Sequence, residues 1–116
     1  MSQLVDILLE IRKEQQKYYD DYEFWAKKIK TEAEKQLGES RVLVFGSILR
    51  KNEVPRDIDI LVISPAFTGA STRKKSEIKV QLWKKIGAAS PFEIHLISPE
   101  DWEEWYKNFI KEFIEI

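Results

Sequence analysis

Apolar positions in the first third of the chain recur at steps of four and three. Leu4, Leu8, Ile11, Tyr18, Tyr22, Trp25 and Ile29, with the polar Gln15 at the step between Ile11 and Tyr18, follow this spacing, as the seam of a heptad repeat does. Residues 3 to 37 contain neither glycine nor proline, and Gly38 is a natural stop, so the pattern predicts a helix over Gln3–Leu37. At 1.5 Å per residue such a helix would be about 50 Å long, more than a chain of this size covers. Val5, Ile7 and Leu9 add apolar groups around the circumference of its first half. Either the helix breaks and folds back, or that surface is buried against a second chain. The second chain is the favoured expectation, and a two-fold homodimer is its simplest form.

Beyond Gly38 the period shortens. Arg41 to Phe45 is a short, continuous apolar strand candidate, and Ser47 to Asn52 suits one helical turn. Asp57 to Ser64 alternates and then turns wholly apolar, as a central strand does. After the loop from Pro65 to Gly69, a helix is predicted over Thr72–Ile86, with Ile78, Leu82, Trp83 and Ile86 on one face and Gly87 ending it. Pro91 to Ile97 is a third strand. Ser98-Pro99-Glu100-Asp101 then reads as a helix start: a serine cap, proline in the first turn, and acids where the helix dipole favours them. Trp102, Trp105, Tyr106, Phe109, Ile110, Phe113 and Ile114 give that last helix a broad apolar stripe. The order α-β-β-α-β-α predicts an α/β (α+β) fold: a small mixed sheet of about three strands backed by helices, with a long helix at the N-terminal end.

Composition narrows the class without naming it. At 116 residues the chain suits a single domain over residues 1–116, residues 1–30 forming a helical extension that carries the interface. Apolar residues make up 43% and charged residues 34%, a balance for a folded chain rather than a disordered one. A net charge of −1 does not advertise a nucleic-acid binder, yet leaves nucleic acid open, since charge is often patchy. With no cysteine, disulfides, zinc–thiolate sites and thiol nucleophiles are excluded. The run Leu4–Leu9 is too short for a signal peptide and no segment approaches the length of a membrane span, so the expected location is the cytoplasm. Abundant lysine and glutamate without cysteine adds a faint thermophilic colour.

Candidate chemistry concentrates between Phe45 and Leu61. The first strand delivers the chain into Gly46-Ser47, and after the spacer Ile48–Arg56 come Asp57 and Asp59, separated by one isoleucine. Strand alternation directs residues i and i+2 to the same side, so these carboxylates are expected to share a face. Adjacent acids repel unless they hold a proton or a cation. On the third strand Glu93 and His95 share a face opposite Phe92, Ile94 and Leu96. If that strand pairs beside the second, Glu93 converges on Asp57 and Asp59. Three carboxylates form the hard oxygen set that suits Mg²⁺, an ion that takes its remaining ligands from water and substrate phosphates. Two such ions activate an attacking hydroxyl and stabilise departing pyrophosphate. Plainer readings stand beside these: Asp57 as a strand cap, Asp59 and Glu93 as solvated strand acids, Arg50 and Lys51 as surface charges. His95 reads as a packed or hydrogen-bonded strand residue and stays outside the catalytic set. The basic start of the middle helix, Arg73, Lys74, Lys75 and Lys79, reads as a solvated face ahead of a substrate patch.

The stretch Phe45, Gly46, Ser47, a nine-residue spacer, then Asp57-Ile58-Asp59-Ile60, resembles the signature of the polymerase-β-like nucleotidyltransferase superfamily. Its Gly-Ser-x-x-Arg form, with Arg50, is similar to the small prokaryotic members known as minimal nucleotidyltransferases. The resemblance spans roughly residues 32 to 114 and agrees with the element order above. It implies that Asp57 and Asp59 hold the metal ions. Glu93 would be the third acid, helping to bind the catalytic metal and taking the proton of the attacking hydroxyl. Gly46 would let the backbone approach the phosphates, Ser47 would donate to a phosphate oxygen, and Arg50 would be a secondary phosphate or structural contact. One departure is visible: minimal members commonly carry glycine after that arginine, and here stands Lys51.

The leading expectation is therefore a Mg²⁺-dependent enzyme that transfers a nucleoside monophosphate, AMP from ATP, to a hydroxyl. The larger superfamily members add a helical domain for which this chain has no room, so a partner chain is expected to complete the site. The resemblance implies an antitoxin-like role beside a small helical HEPN-type toxin, adenylylated by some members. The rival is a non-catalytic interaction module that binds a partner through its amphipathic helices. Transfer to an aminoglycoside-like small molecule ranks last, without a substrate domain.

Overall fold

The computed structural model describes residues 3–116; Met1 and Ser2, part of the expected N-terminal extension, lie outside them. About three strands were expected and four are present among the described residues: β1 (Arg41–Phe45), β2 (Ile58–Ile63), β3 (Phe92–Ile97) and β4 (Phe113–Glu115). They form one sheet in the order β3-β2-β1-β4. β1 runs antiparallel to both β2 and β4, while β2 and β3 are parallel. The parallel pair needs a crossover, and α3 (Thr72–Ile86) provides it. Ser71 caps α3 by accepting from the Lys74 amide, and Gly87, at φ 104°, ends it.

The long N-terminal helix is not continuous. It divides at Asp21 into α1 (Gln3–Asp20) and α2 (Tyr22–Leu37). Asp21 takes φ −139° and ψ 53°, outside the helical basin, as suits a residue that favours helix starts over helix interiors. The break lets the seam change partner. Tyr18, Ala26, Ile29 and Ala33 are buried, whereas Leu4, Leu8 and Ile11 remain 64%, 52% and 41% exposed. Tyr18 anchors the bend: its hydroxyl donates to the Ile86 carbonyl, and its ring meets Trp25 and Phe92 at 4.8 and 6.3 Å.

The last helix also departs from expectation. α4 spans only Pro99–Glu104, capped by the Ser98 hydroxyl on the Asp101 amide, and a 3-10 turn follows over Tyr106–Asn108. Phe113–Glu115 then pairs with the free edge of β1, and the Ile116 amide donates to the Val42 carbonyl. The apolar stripe is consequently split. Trp102 is buried and packs edge-on against Phe113, while Trp105 and Phe109 stay exposed, their rings in tilted contact with each other.

Alternation along the strands sorts their side chains onto two faces. Val42, Val44, Ile58, Ile60, Val62, Ile94 and Leu96 meet Ala26, Ile29 and Ala33 of α2 and Leu82 and Ile86 of α3 in the main core. On the other face Leu43, Leu61, Ile63 and Ile97 pack with Trp102 in a smaller core. That second core covers only one end of its face. The other end carries Asp59, Glu93 and His95 beside the half-buried Phe45, and the candidate site lies there.

Candidate active site

Position on the uncovered face follows from parity. Asp59 shares it with Leu61 and Ile63, while Glu93 and His95 share it with Ile97. The parallel register pairs Asp59 with Glu93 across neighbouring strands, and the antiparallel register pairs Asp59 with Phe45. The structure therefore brings Asp59 and Glu93 together without any loop having to fold over. His95 joins them: its Nε2 lies 3.8 Å from Asp59 Oδ1 and 3.7 Å from Glu93 Oε1. One ligand atom from each of the three lies within 4.8 Å of the others, close enough to share one cation. The Phe45 ring stands 5.9 Å from the His95 ring and flanks the group.

Burial sets the electrostatics. The Asp59 side chain retains 25% exposure against 55% for Glu93. Desolvation raises the Asp59 carboxyl above the ordinary carboxylate range, the neighbouring Glu93 raises it further, and Asp57 adds a smaller push; His95 offsets part of this. An acid held in such surroundings prefers a proton or a cation to standing ionised alone.

The glycine of the Gly-Ser turn has a steric reason. Gly46 adopts φ 88°, and a Cβ built on it would sit 2.4 Å from Asp59 Oδ2. Only the absence of a side chain lets the turn pass over the carboxylate. Ser47 opens a 3-10 turn, Ser47–Leu49, and is half-buried on the wall of a cleft beside α1.

The remaining candidates lie further out. Asp57 stands one residue before β2, exposed, and its carboxylate is outside the Asp59–Glu93–His95 group, although its charge reaches both Asp59 and Tyr19. Arg50, exposed, pairs with Glu53 at 3.2 Å and also lines a second cleft with Phe45, Gly46 and Phe109. Lys51 is exposed in the turn that follows. His95 is the residue left outside the expected set, although its signal was present: it lies two residues after Glu93 on the same strand.

None of the curated proteins matches the chain. Two solved structures share its fold. One, described as a candidate nucleotidyltransferase, is 26% identical, with a TM-score of 0.62 over 78% of this chain and 95% of that one. The other, a candidate nucleotidyltransferase from Sulfolobus solfataricus, is 17% identical, with a TM-score of 0.60 over 90% of this chain and 84% of that one, a likeness of fold. The family model for the nucleotidyltransferase domain matches residues 26–115, a span that holds the Gly-Ser turn and all three acids, and the chain belongs to that family.

Proposed function

We propose that the chain transfers a nucleoside monophosphate, AMP from ATP, to a hydroxyl acceptor in a Mg²⁺-dependent reaction. The observation that carries this reading is the register pair Asp59–Glu93, with Gly46 passing directly over the Asp59 carboxylate. Two carboxylates on adjacent strands suit a hard divalent ion, and in this reading Asp57, one residue before β2, serves it from the rim. Bound Mg²⁺ supplies positive charge for the phosphates and makes a coordinated hydroxyl more acidic. Glu93, the more exposed acid, accepts the proton of the acceptor hydroxyl. Asp59, held between Gly46 and Glu93, keeps the ligand geometry rigid. Ser47 donates its hydroxyl to a phosphate oxygen at the start of its turn.

Residues 1–116 act in this reading as one nucleotidyltransferase unit in the cytoplasm, with residues 1–30 as the extension that meets a second chain. The exposed Leu4, Leu8 and Ile11 support a homodimer or a helical HEPN-type partner as the acceptor. The same surface favours a second reading, an antitoxin-like module that works by binding alone. The two separate on mass. Incubation with ATP, Mg²⁺ and the co-expressed partner is expected to add one AMP unit to an acceptor chain. The gain should vanish in Glu93→Gln and in Asp57→Asn with Asp59→Asn. A gain unchanged in these variants refutes the site, and no gain alongside tight partner binding supports the module.

A further inference from the structure

A cleft of about 1120 Å³ runs between α1 and the segment 53–56, with Ser47 on its wall. A space of this size accommodates a nucleotide. Arg12, Gln16 and Tyr19 line it from successive turns of α1, and Arg56 lines it from the loop. Helical steps of four and three put those three residues on one stripe, beside the apolar seam rather than on it. Other arginines of the chain are engaged: Arg41 with Glu115, Arg50 with Glu53, Arg73 with Glu77. Arg12 and Arg56 have no ion-pair partner among the described residues, and Glu53, the acid that also lines the cleft, is paired with Arg50, so two guanidinium groups without an ion pair border a single cleft. The Tyr19 hydroxyl donates to the Arg56 carbonyl and ties α1 to the loop, and the charge of Asp57 reaches Tyr19. Ser47 links the cleft to the acids, because it follows Gly46, which passes over the Asp59 carboxylate.

Guanidinium groups beside a hydroxyl-bearing turn match a polyphosphate, which they bind with paired, directional hydrogen bonds. The family match begins at residue 26, so the helix supplying Arg12 lies outside the segment that matches. We propose that α1 is the second wall of the nucleotide cleft: Arg12 from the helix and Arg56 from the loop bind the phosphates of a nucleoside triphosphate whose chain begins at Ser47. This rests on the reading that the protein binds such a triphosphate. It assigns α1 two separate duties, an apolar stripe for a partner chain and a polar stripe for the nucleotide.

Calorimetric titration of the full chain with Mg²⁺ and the non-hydrolysable analogue α,β-methylene-ATP tests the assignment. Arg12→Ala is expected to weaken binding about tenfold, the loss of a hydrogen-bonded charge pair. Lys13→Ala, which removes an equal charge from the same helix but does not line the cleft, should change the affinity less than about twofold. Both variants should unfold at the temperature of the parent, because both side chains are exposed. If the parent binds the analogue and Arg12→Ala binds it equally well, α1 is not a nucleotide wall and the nucleotidyltransferase reading survives. Equal losses in Arg12→Ala and Lys13→Ala also overturn the assignment, since general charge would then be the cause. A parent protein that binds no analogue removes both readings.

Discussion

Gly46→Ala probes the junction between the Gly-Ser turn and the acid cluster. Two costs are readable at that position. Gly46 holds φ 88° and ψ −156°, a region that residues with a Cβ enter at a cost of ~1–3 kcal/mol. The new methyl would also lie 2.4 Å from Asp59 Oδ2 and 3.3 Å from its Cγ, so the carboxylate must turn away. Forcing that side chain off its rotamer adds ~0.5–1.5 kcal/mol, and the sum is about 1.5–4.5 kcal/mol. For a chain of 116 residues this lowers the melting temperature by roughly 10 °C, a large share of a typical total stability. Urea titration should show a lower midpoint at unchanged slope. The two costs separate in a double-mutant cycle. In an Asp59→Ala background the remaining Cβ is 3.4 Å from the added methyl, an ordinary contact, so only the backbone cost persists. A coupling of ~0.5–1.5 kcal/mol between the positions is therefore expected. A Gly46→Ala protein as stable as the parent, or a coupling indistinguishable from zero, would show that the turn does not lie over Asp59.

Three further outcomes follow from the same structure. Because burial and Glu93 raise the Asp59 carboxyl, the folded chain holds that proton more tightly than the unfolded chain; the group favours folding at low pH, and the benefit is lost as pH rises through its folded pKa. Asp59→Asn should accordingly stabilise the metal-free protein at pH 7, with the gain shrinking near pH 4; denaturation in EDTA at both values decides it, and a variant less stable than the parent at pH 7 contradicts the sign. Tyr18→Phe removes the donor to the Ile86 carbonyl inside the core and should cost ~1–2 kcal/mol in urea titration, a loss below about 0.5 kcal/mol meaning that water replaces the bond. Leu8→Glu with Ile11→Glu alters only exposed positions of α1 and should convert a dimer to monomer in sedimentation at unchanged melting temperature; a parent that sediments as a monomer refutes the homodimer.

Elements governed by local signals were legible in the residues. β1 and α3 have the expected bounds, and β2 and β3 lie within theirs, because apolar runs, serine caps and terminal glycines act over a few residues. Two features answered to longer range. The seam spacing runs unbroken across Asp20 and Asp21 and gives no position for a break; the break falls where Tyr18 reaches the end of α3, 68 residues away in sequence. Phe113-Ile114-Glu115 satisfies a helical stripe and a strand alternation equally well. The free edge of β1 decides between them, by offering hydrogen bonds that a helix continuing from α4 would leave unmade.

The site divides along the same line. Alternation places Asp59, Glu93 and His95 on one face wherever the strands begin, and the parallel register then sets Asp59 opposite Glu93. Asp57 obeys the same parity but falls before the first paired residue, Ile58, whose amide donates to the Pro91 carbonyl at the end of the ladder. Its direction is set by the spacer loop, not by the sheet, and it stands apart from the other two acids. The cluster is thus rigid in two carboxylates and a histidine and adjustable in the third acid. That difference predicts an order of sensitivity. Lengthening the side chain at 59, under Gly46, has no space to use, whereas Asp57→Glu moves an exposed carboxylate on a loop. Asp59→Glu should abolish transfer, and Asp57→Glu should retain a measurable fraction of it. The reverse order would mean that the loop, and not the sheet, holds the chemistry in place.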